Sequence, residues 1–196
     1  METREVLDRL GLAPQDYVLY VTRFEPENNP HVVIDAFAGV RTTKKLVIVG
    51  DAPYATAYKA SLRDRASRDP RVLLPGFVYG QGYHELQSNA YCYVQATEVG
   101  GTHPALIEAM GAGRCVIGNG TPENVEVLEG CGLIYRKNDV ADLAAKLQQV
   151  LDDEGLVRDL GARASARIAR DYSWERVARQ YLDLFDTMTP ARGEGR

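Results

Sequence analysis

The sequence is short of the residues from which several common functions are built. Its 196 residues hold three cysteines, Cys92, Cys115 and Cys131, and these stand singly. They lack the spacing of a zinc site or a disulfide framework, and two of them lie in apolar runs. Buried, reduced thiols are expected, which suits a cytoplasmic protein. There is no Asp-X-Asp pair to bridge a diphosphate through a metal, so no metal is expected. No signal peptide opens the chain, and no apolar run approaches the roughly 18 residues of a membrane span. An excess of basic residues is missing too: 23 Lys and Arg stand against 27 Asp and Glu, a formal net charge of -4. That balance argues against nucleic acid or an anionic membrane as the main partner.

What is present is the composition of a soluble globular domain, 45% hydrophobic and 26% charged. Short β-branched runs alternate with helix-patterned stretches. Strands are predicted at 17–21, 46–49, 72–74, 90–94, 115–117 and 133–135. Helices are predicted near 5–10, 30–38, 54–67, 82–89 and 104–112. The early strands are continuously apolar, the pattern of strands buried on both faces. Strand, helix, strand in that rhythm implies an open α/β fold with a parallel sheet and right-handed crossovers. The last third is helical: a stripe from Val140 to Leu151, a helix near 155–169, and one after Ser173, a candidate N-cap. Without repeats or a low-complexity linker, one domain is expected over residues 1–188. The tail 189–196 has nothing to bury and is expected to be disordered.

Open α/β sheets bind ligands beyond the carboxyl ends of their strands. The loop after the first strand, Thr22 to Asn29, is not a Gly-rich dinucleotide turn, which makes a nicotinamide dehydrogenase a poor fit. It offers one cation, Arg23, either a ligand-facing charge or a surface charge paired with Glu25 or Glu27. The loop after the fourth long strand reads Thr97-Glu98-Val99-Gly100-Gly101-Thr102-His103-Pro104. Its two glycines permit close backbone approach, and Thr102 or His103 would cap a helix beginning at Pro104. This is either an ordinary turn into a helix or an anion site at a helix N-terminus. Within the helix from Pro104 to Gly113, Glu108 is the one charged residue, among small residues that suggest close packing on the sheet. Side chains lean toward the helix N-terminus, so Glu108 is expected to face the Gly-Gly-Thr loop. A carboxylate beside an anion site suits the two hydroxyls of a ribose; the alternative is a structural salt bridge. Of the histidines, His31 and His84 are expected at the surface, and His103 in a capping or donor-contact role.

Arg23, Val49-Gly50-Asp51, Gly76-Phe77-Val78, Thr121-Pro122-Glu123, Gly132-Leu133-Ile134 and above all residues 106–113 resemble the C-terminal domain of family 4 glycosyltransferases. The resemblance runs from about Tyr17 to Tyr172. It implies one Rossmann-like half of the two-domain GT-B architecture and a retaining outcome. Residues 23–29 and 99–108 resemble the branch of bacterial polysaccharide rhamnosyltransferases. By this resemblance Glu108 holds the donor ribose and Arg23 contacts the diphosphate. Gly100, Gly101, Thr102 and His103 supply backbone donors, and Val78 meets the base through its backbone. Two positions depart from the family: Asn28 stands where a Lys is usual, and Gly100 where a second Glu is usual. Glu98 is two residues too early to take that role.

The resemblance therefore implies a transferase half that binds a UDP-, GDP- or dTDP-sugar and moves a hexosyl or rhamnosyl group to a polysaccharide or lipid-linked acceptor. Family enzymes run to about twice this length, two domains of ordinary size. The chain is accordingly expected to be a fragment, inactive alone. The missing N-terminal half would hold the acceptor site, supply any peripheral membrane contact and cover the last helix. Two other classes stay open: a non-catalytic nucleotide-binding regulatory module of the same fold, and half of a sugar-nucleotide epimerase.

Overall fold

The computed structural model describes residues 4–188. The expected tail, 189–196, lies outside the described residues. Six parallel strands form one sheet: β1 (Tyr17–Val21), β2 (Lys45–Val49), β3 (Val72–Gly76), β4 (Cys92–Gln95), β5 (Cys115–Asn119) and β6 (Leu133–Tyr135). Their order is β3-β2-β1-β4-β5-β6. Helices α1 (Glu5–Leu10), α2 (Pro30–Ala38), α3 (Thr56–Ser67), α4 (Gly80–Asn89), α5 (Pro104–Gly111), α6 (Pro122–Leu128), α7 (Val140–Asp152), α8 (Glu154–Asp171) and α9 (Trp174–Met188) flank or follow it. Burial is nearly complete along β1, β2, β4 and β5, as their unbroken apolar runs require. No described helix is long and apolar enough to cross a membrane.

The predicted elements are present with shifted ends, and one is additional. Helix α6 occupies what the sequence marks only as a turn at 121–123. Thr121 caps it by accepting from the Asn124 N–H, and Pro122 opens it at a position where the missing N–H costs nothing. It is seven residues long, too short for a periodic apolar signal. Ser173 accepts from the Arg176 N–H at 3.2 Å, the predicted cap of α9. Helix α9 buries none of its residues: Trp174, Leu182, Phe185 and Met188 are exposed apolar side chains.

The small residues of α5 do not serve the sheet alone. A Cβ on Gly161 of α8 would lie 2.3 Å from the Gly113 carbonyl oxygen, and one on Gly111 would meet Ile168. They let α8 approach from one side, while Glu108 projects from α5 as an exposed side chain.

Candidate functional site

Strand order reverses between β1 and β4, the crevice where open α/β sheets take ligands. The two loops singled out in the sequence leave these two strands. Below them the backbones crowd. The Thr22 N–H donates to Val49 O at 2.9 Å, and Gly50 N–H donates to Gly76 O at 2.9 Å. Gly50 has φ +138°, and a Cβ there would fall 1.7 Å from the Thr22 carbonyl oxygen, so only glycine fits.

Above this floor lie two adjoining clefts. The first, about 440 Å³, is lined by Val21–Arg23, Val49, Gly50, residues 77–80, Tyr83, Pro104, Ala105 and Glu108. The second, about 280 Å³, shares Val21–Arg23, Pro104 and Ala105 and adds Asn28, Gln95, Thr97, Val99, Gly100 and His103. Together they have the size of an ordinary small-molecule site. Arg23, Val78 and Glu108 thus come together in the first; Arg23, Asn28, Gly100 and His103 in the second. Gly101 and Thr102 are exposed on the same loop.

Several placements differ from the sequence reading. Glu108 lines the cleft of Val78, not that of the Gly-Gly-Thr loop. Its partner is neither a basic residue nor that loop: the Tyr83 phenol donates to its Oε2. Burial first, and then this carboxylate, raise the Tyr83 pKa well above the ordinary phenol range, so the proton stays on the phenol. His103, not Thr102, sits at the N-cap position of α5, and it makes no side-chain capping hydrogen bond. Pro104 has no N–H, and the Leu106 and Ile107 N–H groups donate to the His103 carbonyl at 3.1 and 3.2 Å, which leaves the Ala105 N–H as the first-turn donor open to a ligand. Gly100, at φ +116°, packs under the His103 ring, with 3.4 Å from its Cβ position to Cε1. Burial holds His103 below the usual histidine pKa, with Glu123 opposing.

The cation of the first loop is paired. Arg23 Nη2 lies 3.1 Å from Glu25 Oε2, and Glu25 also accepts from the Tyr54 phenol. The Arg23 side chain is 68% exposed, so this pair is worth at most about 1 kcal/mol and yields readily to a stronger anion. Asn28 is buried, and its Nδ2 donates to the Arg23 carbonyl at 3.0 Å. Where the resemblance leads one to expect a cation, this chain has an amide that shapes the Arg23 loop. Asp51 is paired with Lys59 and accepts from the Ala52 N–H at 2.7 Å. The Lys59 partner holds its carboxyl below the ordinary range.

Beneath both loops runs a polar network that the sequence does not advertise. The buried Tyr20 phenol donates to the Asn28 carbonyl and lies 3.0 Å from Thr97 Oγ1. Asn29, in the left-handed region at φ +56°, donates to Ala96 O at 3.1 Å and to Asn138 Oδ1 at 2.9 Å. Asn119 donates to the same two acceptors at 3.0 and 2.8 Å. The Asn138 amide in turn donates to Glu98. Glu98 therefore points into this network. The network ties the ends of β1, β4, β5 and β6 together and fixes the loops relative to one another.

His31 is half-buried rather than at the surface, because its Nδ1 is 2.6 Å from the Tyr58 hydroxyl between α2 and α3. His84 is exposed, as expected. The site residues missed in the sequence are Tyr83, Tyr20 and Asn138. Phe77 and Tyr79, both exposed, stack with centroids 5.4 Å apart at the first cleft. Among the described residues, no group of three or more His, Cys, Asp or Glu side chains is placed to hold a metal ion.

A family model described as glycosyl transferases group 1 matches residues 15–153. Over 188 residues the chain is 26% identical to O-antigen chain mannosyltransferase B of Escherichia coli, covering 94% of this chain and 49% of that protein. Over 181 residues it is 26% identical to N-acetyl-alpha-D-glucosaminyl L-malate synthase of Bacillus anthracis, covering 89% and 46%. The chain thus spans about half the length of the curated relatives it matches. Among solved structures, Anabaena Alr3699/HepE in complex with UDP and glucose matches with a TM-score of 0.85 at 18% identity, over 93% of this chain and 51% of that one. The C-terminal domain of a glycosyl transferase group 1 family protein (LpcC) from Francisella tularensis matches with a TM-score of 0.75 at 16% identity, over 89% and 95%. These likenesses show the fold, a Rossmann-like half of the GT-B type.

Proposed function

Because this chain belongs to the group 1 glycosyltransferase family, we propose that it is the donor-binding half of a glycosyltransferase that moves a hexosyl or rhamnosyl group from a nucleoside diphosphate to a polysaccharide or lipid-linked acceptor. One observation carries the reading: Arg23 and Glu108 line a single, largely apolar cleft at the strand-order reversal, and the loop of Gly100 and His103 lines the next. In this assignment the nucleoside occupies the first cleft. Glu108 accepts from the ribose hydroxyls, and the backbone at Val78 meets the base between Phe77 and Tyr79. The diphosphate lies where the clefts join. Arg23 exchanges Glu25 for phosphate, and the Ala105 N–H and the positive end of α5 add to it. Gly100 to His103 then face the sugar. No bridging metal takes part in this scheme. Asn28 replaces a charge with a loop-shaping amide, which predicts weak diphosphate binding by this half alone.

The relatives named above are about twice as long, and the apolar face of α9, with Trp174, Leu182 and Met188 on it, is exposed. An acceptor-binding half supplied by the rest of a longer cytoplasmic protein would cover that face, complete the site and make any peripheral membrane contact. The test is a thermal-shift and calorimetric panel of UDP-, GDP- and dTDP-sugars and their free diphosphates, repeated with Glu108→Ala. At least one ligand should stabilise the parent chain, and the substitution should weaken it by about tenfold or more, the worth of one or two hydrogen bonds to a charged group. A ligand shift that survives Glu108→Ala unchanged would remove the ribose assignment.

A further inference from the structure

The wall of the first cleft holds a chain of three polar side chains, only the last of which the donor assignment uses. Gln87 on α4 is 2% exposed, and its Nε2 donates to the Tyr83 oxygen at 2.9 Å and to the Ala105 carbonyl at 3.2 Å. Tyr83 donates onward to Glu108 Oε2. Chemistry fixes the direction. A carbonyl can only accept, so the amide nitrogen must face Ala105, and the Tyr83 oxygen shares that nitrogen. This orientation holds even though Gln87 Oε1 is left buried without a hydrogen-bond partner. The phenol oxygen therefore accepts from Gln87, and its single proton is left for Glu108. Both ends of the chain are anchored on α5, at Ala105 and Glu108, about one helical turn apart. Glu108 is otherwise an exposed side chain whose rotamers must be ordered before it can bind anything.

We propose that Tyr83 is a positioning residue for ligand recognition: aimed by Gln87, it holds the Glu108 carboxylate in the orientation that receives the ribose hydroxyls. This rests on the ribose assignment made above. Tyr83 acts through Glu108, so its effect must vanish when Glu108 is gone. A merely structural tyrosine would weaken binding by the same factor in either background.

The experiment is a double-mutant cycle by calorimetry on the full chain with UDP and GDP as probes: parent, Tyr83→Phe, Glu108→Ala and the double variant. Tyr83→Phe keeps the ring and its packing. It is expected to weaken binding about three- to tenfold in the parent and to add no loss to Glu108→Ala. Uridine 2′,3′-dideoxy diphosphate, without the hydroxyls, should be insensitive to Tyr83→Phe, whereas a distorted cleft would bind it worse. If Glu108→Ala weakens UDP and GDP but Tyr83→Phe has no effect, or the same effect in both backgrounds, the positioning role is overturned and the ribose assignment stands. If Glu108→Ala changes neither ligand, both fall.

Discussion

Removing a single oxygen, by Tyr20→Phe, tests whether the polar network under the two loops holds the site together. The ring lies fully buried near the C-terminal end of β1, and the substitution keeps it, so no apolar contact is lost. What is lost is the hydroxyl that donates to the Asn28 carbonyl and lies 3.0 Å from Thr97 Oγ1. Both partners are buried, and each is left short of a hydrogen bond. The cost of an orphaned buried polar group is about 1–3 kcal/mol. For a chain of this length that corresponds to a fall in Tm of roughly 3–10 °C. Burial pushes the Tyr20 pKa up to about 12, so the parent phenol is neutral throughout an ordinary assay. Urea unfolding of the parent, Tyr20→Phe, Thr97→Val and the double variant gives the measurement. The m-value should be unchanged while the midpoint falls. The double variant should cost less than the sum of the singles, since Thr97→Val removes one of the orphaned groups. A Tyr20→Phe variant within about 0.5 kcal/mol of the parent, or strictly additive singles, would mean that the network is incidental to stability.

Two further outcomes follow from the same geometry. Gly50→Ala places a methyl 1.7 Å from the Thr22 carbonyl at a backbone angle of +138°; a loss of about 3 kcal/mol or more is expected by denaturant titration, and an unaltered midpoint would contradict the packing described. His31 and His103 both have pKa values below the usual 6.5, through burial first and, for His31, the nearby Arg65 as well. With folded pKa values depressed, the unfolded chain takes up protons first as pH falls. Stability is therefore full above about pH 6.5 and declines as pH drops through and below it. Thermal melts at pH 7.5 and 5.5 should show that decline, reduced in His31→Gln; equal decline in both would remove His31 as a contributor.

The sheet was legible because its strands are buried on both faces, and unbroken apolar runs such as Val18 to Val21 have few other uses. The site was legible only where chemistry sits alone against its background, as with Glu108 on an apolar helix and Arg23 at a strand end. Partners were not. Glu108 leads into the first cleft rather than toward Gly100 because its neighbour is Tyr83 of α4, and the packing of α4 on α5 has no signature in either helix. The small residues of α5 read as sheet contacts, yet Gly111 faces Ile168 of α8, and Gly161 of α8, some fifty residues later in the chain, is the residue that must be small to pass the Gly113 carbonyl. Asn28 reads as a missing charge and proves to be an amide that shapes a loop. In each case the identity of the residue was informative and its direction was set by an element distant in sequence.

The reversal of strand order has a kinetic consequence. β1 can pair with β2 soon after both exist, since Val18 meets Leu46. Its other edge must wait for Val18 to meet Cys92. Both clefts need that second pairing, and α5 beyond it. Closure of so long a segment is a slow, non-local event in folding. A ligand of these clefts therefore cannot template the early steps, because the clefts do not yet exist. It can only draw the finished domain further toward the native state by mass action. Ligand should accordingly slow unfolding and leave the first folding phase untouched.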